Sequence, residues 1–283
     1  MLYTAITHAG RAHIDEILAL AVLAIHKETL PAELRRIDSN EVAKMVAEGR
    51  IPNDTWVVDC GLVFDPLNRL FDHHHDANLP SSAILLFNHC IPELVGTELH
   101  RYFELVSKVD NDGLRSLDDF ELISESRNYW GFTHHILVSV FEDDPMAVLR
   151  LVTHGLRSRI RIEKKKEAAS EWAFFPGRLK TENIDGITVL IVSEQPPLEL
   201  FDALRSIEDN IIQEHGAAVV YGYDREDASI RTLYRTDIGH NLISFNLSKA
   251  QNTVFSHQGG FLLRFRPAEK DEWRSIIAAS IIS

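Results

Sequence analysis

The chain has 283 residues, of which 45% are apolar and 25% are charged, so it is long enough for one large or two smaller packed domains. Its 29 basic and 42 acidic residues give a net charge of −13, which excludes a protein that binds nucleic acid through a generally positive surface. Its two cysteines exclude a disulfide scaffold and are typical of a reducing compartment. Because the start does not resemble a signal peptide and no apolar run reaches about 20 residues, we expect a soluble, cytoplasmic protein with no membrane partner.

Short apolar runs that end at polar residues alternate with helical patterns along the first part of the chain. The run 2–7 predicts a strand, and the stretch from Asp15 predicts a helix with acids in its first turn. Two more strands are predicted at 55–58 and 69–71, and a helix follows Ser82. This alternation predicts βαβ units and a mainly parallel sheet.

The second half repeats the alternation after a long helical pattern, which runs from Met146 to about Trp172 and predicts one helix leading out of the first domain. The later predicted elements are strands at 187–192, 217–223, 230–234 and 253–265 and helices at 198–212 and 269–281. We therefore expect an α/β fold with two domains. The first spans residues 1–175, and a smaller α/β domain spans 176–283.

Histidines and surplus acids are concentrated at the same end of the chain. Six of the 14 histidines lie within the first 75 residues, and residues 1–177 hold 18 bases and 27 acids, a net charge of −9. A cluster of carboxylates repels itself unless a cation is bound there, and a divalent metal is the usual solution. The candidate ligands fall in four segments, which contain His8, His13 and Asp15, then Asp59, then Asp72 to His75, and finally Asp110.

The first three of these segments each follow a predicted strand. In a parallel sheet their side chains gather at the carboxyl ends of the strands, where open α/β folds place their sites. Imidazole and carboxylate ligands suit Mn²⁺, Fe²⁺ or Zn²⁺. The absence of thiolate ligands makes a structural zinc site the poorer interpretation. About seven candidate ligands exceed the need of one ion, so we expect two ions bridged by one carboxylate.

Five motifs resemble the DHH phosphoesterase superfamily. They are THAGRAHIDE, VVDCGLVFDP, FDHH, SSA and VDNDG, and they are most similar to the melanocyte-proliferating-gene exonuclease branch. The similarity is strong over residues 7–16, 58–65, 71–83 and about 103–113 and fades beyond them. The resemblance implies a DHH-type N-terminal catalytic domain, two Mn²⁺-type ions and a substrate held between the two domains.

The resemblance also implies a role for each residue of these motifs. One ion would be held by His8 and His13, and Asp59 would bridge to the second. The second ion would be completed by Asp15, His73 and Asp110. His74 would face the substrate phosphate as a catalytic group, and Asp72 would orient the imidazoles. The family has Asp-Asn-Gly in this motif, whereas this chain has an additional acid, Asp112, before the glycine. Either Asp110 or Asp112 is therefore the ligand from the fourth motif.

Further residues are candidates for binding the substrate. Ser81 and Ser82 either cap a helix or present donors to a phosphate. His257, Gly259 and Gly260 form a loop whose backbone can approach a ligand closely. Arg264 follows that loop at a position where the branch usually has further glycines, and it is a further candidate for substrate contact.

We expect a metal-dependent phosphodiester hydrolase. In this reading a metal-bridging hydroxide attacks phosphorus, and family resemblance favours a 3′–5′ exonuclease acting on RNA or short oligonucleotides. The acidic charge supports an alternative, a small-molecule phosphoesterase or pyrophosphatase. A second alternative is a non-catalytic module whose metal cluster is structural. Whether the chain forms a homodimer stays open.

Overall fold

The computed structural model gives the backbone of residues 2–113, 124–247 and 252–282, and the side chains of these residues except 124–133 and 247. The chain divides into two compact units, Met1–Glu163 and Lys164–Ser283. The α/β class predicted from the sequence is confirmed in both units.

The first unit is built on a five-stranded sheet. Its strands run in the order β2-β1-β3-β5-β4; neighbours pair in parallel except β4 with β5. The elements are β1 (Thr4–His8), α1 (Ile14–His26), β2 (Glu33–Ile37), α2 (Ser39–Ala47), β3 (Thr55–Val58), β4 (Phe64–Asp65), β5 (Leu70–Phe71), α3 (Ser82–Cys90), α4 (Glu98–Asp112), α5 (Ser124–Asp143) and α6 (Pro145–Glu163).

Both faces of this sheet are covered, which explains why its central strands are apolar at consecutive positions. Ala5 and Trp56 face the larger core, which α1, α3 and α6 share, whereas Ile6 and Val57 face a smaller core under α2. Helix α1 is buried almost all round, from Asp15 to Ala24, because it lies between the sheet and its neighbouring helices. The two acids in its first turn are therefore fixed at the sheet edge where β1 ends.

The prediction of one long helix from Met146 to Trp172 is wrong, because this stretch forms two helices, α6 and α7 (Lys166–Ala173). The two pieces pack into different cores. Helix α6 buries Leu149 in the core of the first unit, whereas α7 buries Trp172 against α8 (Phe201–His215) in the second. The boundary between units accordingly falls at 163/164, twelve residues before the expected 175/176.

The second unit contains a six-stranded mixed sheet in the order β10-β11-β9-β8-β7-β6. Its strands are β6 (Leu179–Ile184), β7 (Ile187–Val192), β8 (Val219–Tyr223), β9 (Arg231–Arg235), β10 (Thr253–Ser256) and β11 (Leu262–Phe265). Only β7 and β8 pair in parallel, joined through α8. Helix α9 (Glu272–Ser280) packs on one face, and α7 and α8 pack on the other.

Within the part of the chain that the structure describes, no helix is both long and apolar enough to cross a membrane.

Candidate metal centre

Three neighbouring parallel strands deliver polar side chains to one edge of the first sheet. His8 is the last residue of β1, Asp59 directly follows β3, and Asp72 directly follows β5. All three are buried, with relative exposures of 9%, 1% and 0%. The sequence argument that these strand ends meet at one place agrees with this arrangement.

Asp59 lies at the centre of the cluster in a left-handed backbone conformation. Its φ is 58°, which is uncommon outside glycine and typical of residues under a functional constraint. Its Oδ1 accepts a hydrogen bond from Ser82 Oγ at 3.0 Å, and its Oδ2 lies 3.5 Å from His8 Nε2. Burial raises the pKa of Asp59, but the hydrogen bond from His8 and the nearby imidazoles outweigh burial and lower the pKa.

His8 presents its Nε2 atom to the cluster. Its Nδ1 lies 3.0 Å from the Ala9 carbonyl, to which it donates, so Nε2 is the nitrogen free to bind a metal. Nε2 faces two carboxylates, Asp59 and Glu16. Burial lowers the pKa of His8, but hydrogen bonds to these carboxylates outweigh it and raise the pKa to about 11.

Asp15 and Asp110 meet His13 on the other side of the cluster. Asp15 is fully buried, and neither of its carboxylate oxygens has a hydrogen-bond partner among the described residues. Asp110 lies on α4, with Oδ1 3.7 Å from His13 Nδ1 and Oδ2 3.1 Å from His73 Nε2. Burial raises the pKa of Asp15 well above its usual range, and the charges of Asp59 and Asp110 add to this rise.

The two acids of the fourth motif that are candidate ligands, Asp110 and Asp112, lie in different positions. Asp110 points to His13 and His73, whereas Asp112 is exposed at the end of α4. Asp110 is therefore the acid of this motif that lies in the cluster.

Asp72 holds His74 rather than facing the centre of the cluster. Its Oδ1 lies 2.7 Å from His74 Nδ1 and also accepts the backbone N–H of His74, while Oδ2 accepts the N–H of Leu62. Burial raises the pKa of Asp72, but the hydrogen bond from His74 and those from the two backbone N–H groups outweigh it and lower the pKa. The His74 side chain is 46% exposed, so it is fixed at one nitrogen and accessible from solvent.

The two serines before α3 have different contacts. Ser82 Oγ donates to Asp59 and lies 3.3 Å from His73 Nδ1, so it links the Asp59 carboxylate to the His73 imidazole. Ser81 is the N-terminal capping residue, and its buried Oγ has no hydrogen-bond partner in the described part of the chain. The link through Ser82 was not predicted from the sequence, from which only helix capping or phosphate binding was expected for the two serines.

Glu16 is a further buried acid to which the sequence analysis gave no role. Its Oε1 accepts from Thr7 Oγ1 at 2.9 Å, and its Oε2 accepts from the backbone N–H of His13 at 3.2 Å. Oε2 is also 3.2 Å from His8 Nε2. Glutamate at the third helical position after a capping residue is a recognised pattern for such a backbone contact, and this spacing was the signal that could have identified it.

The described residues of this cluster form three overlapping groups, and within each group the ligand atoms lie within 4.8 Å of one another. Asp59 belongs to two of them, and His13 also belongs to two. The groups are Asp59, Asp72, His73 and His74; His8, His13 and Asp59; and His13, Asp15 and Asp110. The unpartnered oxygens of Asp15 are those expected at a cation site, and the imidazole and carboxylate donors suit Mn²⁺, Fe²⁺ or Zn²⁺. The residues present therefore fit a bound metal.

The remaining predicted site residues belong to the second unit. His257 lies in the β10–β11 turn, where its Nδ1 accepts the Gly259 N–H at 3.0 Å and its ring contacts that of Phe261 in a tilted arrangement, with centroids 4.0 Å apart. Gly260 has a φ of +66°, and an added Cβ would lie 2.3 Å from Ser244 Oγ, so only glycine fits there. Arg264 pairs with Asp224 at 2.6 Å. These contacts explain the turn, and a role in substrate binding stays a prediction.

Part of the chain that contains this cluster matches a known family model. Residues 4–95 match the MYG1_exonuc model, an uncharacterised protein family (UPF0160). The matched span covers the cluster from His8 to His74 and ends before Asp110. It supports a MYG1-like family, whose name denotes an exonuclease, over roughly a third of the chain. No curated protein is significantly similar to the sequence.

Proposed function

We propose that this protein is a divalent-metal-dependent phosphodiester hydrolase, a 3′–5′ exonuclease acting on RNA or short oligonucleotides. The observation that carries the proposal is the shared position of Asp59, a buried carboxylate in two adjacent groups of ligand atoms. Such sharing is what a pair of ions held by one bridging carboxylate requires. The family match over residues 4–95 supports the same reading.

In this proposal one ion is held by His8, His13 and Asp59. The second is held by four side chains, which are Asp15, Asp59, His73 and Asp110. Mn²⁺ is the ion we propose for both positions, because mixed imidazole and carboxylate ligands suit it. When bound, paired ions supply Lewis-acid stabilisation of phosphate charge and a water nucleophile ionised near neutral pH.

The side chains around the ligands would position the substrate and hold charge. Asp72 fixes His74 through Nδ1, which leaves Nε2 as the ring nitrogen that can donate to a phosphate oxygen. A donor held in place before the reaction stabilises developing charge without reorganisation. Ser82 would hold Asp59 and His73 in their relative positions.

The net charge of −13 favours a second candidate, hydrolysis of small phosphate compounds such as pyrophosphate. An acidic surface repels long polyanions more than short ones, since binding strength grows with the number of phosphates neutralised. A structural, non-catalytic metal cluster is the third reading, and the exposed His74 argues against it because a structural site is coordinatively closed.

One experiment separates these readings. The protein reconstituted with Mn²⁺ is given a 5′-labelled RNA oligonucleotide, a dinucleotide and pyrophosphate in parallel reactions. We expect a ladder that shortens from the 3′ end, and we expect Asp59→Asn to remove turnover while Asp54→Asn, an exposed acid before β3, retains it. Turnover of pyrophosphate alone would favour the second candidate, and no turnover of any substrate would favour a structural cluster.

A further inference from the structure

The second unit contains a cavity of about 620 Å³ between its sheet and α8. Two cross-strand rows of one sheet face form its floor. The first row is Leu190, Val220, Tyr234 and Leu262, and the second is Val192, Gly222, Thr232 and Arg264. Helices α7 and α8 cover the β7 and β8 side of this face, whereas the β9 and β11 side is open, with Tyr234 37% exposed.

Gly222 is the reason the floor is deep at its centre. It stands between Val192 and Thr232 in the second row and contributes no side chain. A Cβ added there would lie 3.6 Å from Val192 Cγ2 and 3.7 Å from Thr232 Oγ1, which are ordinary contacts. Larger side chains at this position would therefore extend into the cavity without disturbing the backbone.

Two polar groups face the cavity from opposite walls. Arg264 on the floor binds Asp224 through one terminal nitrogen, but its Nε is buried with no hydrogen-bond partner among the residues described. Glu208 lies on the wall formed by α8 and is half-buried. Burial raises the pKa of Glu208. The cavity thus offers the Arg264 guanidinium on its floor and the Glu208 carboxyl group on the opposite wall. Most of the other lining residues are apolar.

Charge limits what can enter. Four acids and three arginines line the cavity, and two of the arginines are already paired, Arg225 with Asp202 and Arg264 with Asp224. The lining therefore has a surplus of negative charge, which disfavours a phosphate in the chamber. An uncharged planar ring that carries both acceptors and donors suits the lining better.

We propose that this cavity binds the nucleobase of a nucleoside or nucleoside monophosphate. A base carbonyl would accept from the Arg264 guanidinium, a ring N–H would donate to Glu208, and the faces of the base would contact apolar walls that include Phe261 and Tyr234. A cavity of this size lies within the usual range for small-ligand sites. The choice of ligand class rests on the proposed function, because an exonuclease releases nucleoside monophosphates.

The test is calorimetric titration of the full chain in EDTA with AMP, GMP, CMP and UMP, and with ribose 5-phosphate as the base-free probe. We expect at least one base-bearing ligand to bind and ribose 5-phosphate not to bind. Gly222→Leu should weaken binding at least tenfold by filling the floor, whereas Gly222→Ala should have little effect. Arg264→Lys keeps a cation beside Asp224 but removes the planar guanidinium, so it should also weaken binding.

Several outcomes would overturn the proposal. These are no binding by any nucleotide, equal binding of ribose 5-phosphate, or unchanged binding in Gly222→Leu and Arg264→Lys, with circular dichroism confirming that the variants fold. Asp59→Asn should bind nucleotides like the wild type, and loss of binding there would place the ligand at the metal centre instead. Because the titration contains no metal, it is independent of hydrolysis: binding without any Mn²⁺-dependent turnover would refute the proposed function and leave the cavity assignment intact.

Discussion

Replacing Asp15 by Asn should stabilise the metal-free protein and reduce its response to metal. Asp15 is fully buried, its oxygens have no hydrogen-bond partner among the described residues, and Asp59 and Asp110 repel it. Asparagine keeps the shape of the side chain but removes the buried, repelled charge, and this removal is worth about 1–3 kcal/mol. For a unit the size of Met1–Glu163, each kcal/mol shifts the melting temperature by about 2–4 °C, so we expect a rise of about 2–12 °C in EDTA.

Metal should reverse the order of stability. With Mn²⁺ at 100 times the Kd of each site, the wild type should gain about 2.7 kcal/mol for each ion bound, whereas Asp15→Asn should gain much less. Scanning calorimetry in EDTA and in Mn²⁺ measures both effects. Asp54→Asn makes the same chemical change at an exposed position before β3, and it should match the wild type in both conditions. If Asp15→Asn melts lower than the wild type in EDTA, or retains the full Mn²⁺ shift, the reasoning about this carboxylate is wrong.

Three further predictions concern the same cluster. Ser82→Ala should weaken Mn²⁺ binding about 10–100-fold, the usual effect of losing a residue that orients ligands, whereas Ser81→Ala should leave Mn²⁺ affinity unchanged; equal affinities in calorimetry would contradict the link assigned to Ser82. Asp110→Asn should lower the metal content measured after reconstitution, and Asp112→Asn should not; the reverse result would move the ligand to Asp112. Because the pKa of His8 is raised to about 11 without metal, its proton contributes stability that is fully present below about 6.5 and is lost as the pH rises through about 11. Mn²⁺ must displace this proton, so affinity should keep increasing between pH 7 and 8.5, and a plateau there would refute the shift.

The sequence predicted that three polar strand ends meet at one sheet edge because strand ends are simple to identify. Apolar runs that stop at His8, Asp59 and Asp72 place these residues at one sheet edge once the sheet is parallel. That inference needs only the order of strands and helices. It does not need side-chain positions, which is why it succeeded without them.

The contacts between side chains could not be predicted in the same way. The bond from Ser82 to Asp59 depends on the left-handed turn at Asp59, which tilts its carboxylate toward the start of α3. The break between α6 and α7 was also missed, because the charged stretch around Lys164 is compatible with a continuous helix. Only the existence of two separate cores decides that the helix ends there.

The four buried carboxylates at the sheet edge differ in a way that determines what metal binding changes. Glu16 and Asp72 accept hydrogen bonds at both carboxylate oxygens, whereas Asp59 accepts one at Oδ1 and its Oδ2 has no hydrogen-bond partner in the described structure. Asp15 alone among the four has both oxygens without a partner in the described structure. Hydrogen bonds that hold carboxylates in place preorganise a site, and the free energy of metal binding then acts mainly through the oxygens that lack a partner, which are both oxygens of Asp15 and Oδ2 of Asp59. The metal-free protein should therefore keep its fold and its cluster geometry, and the metal should add stability chiefly by giving Asp15 a partner.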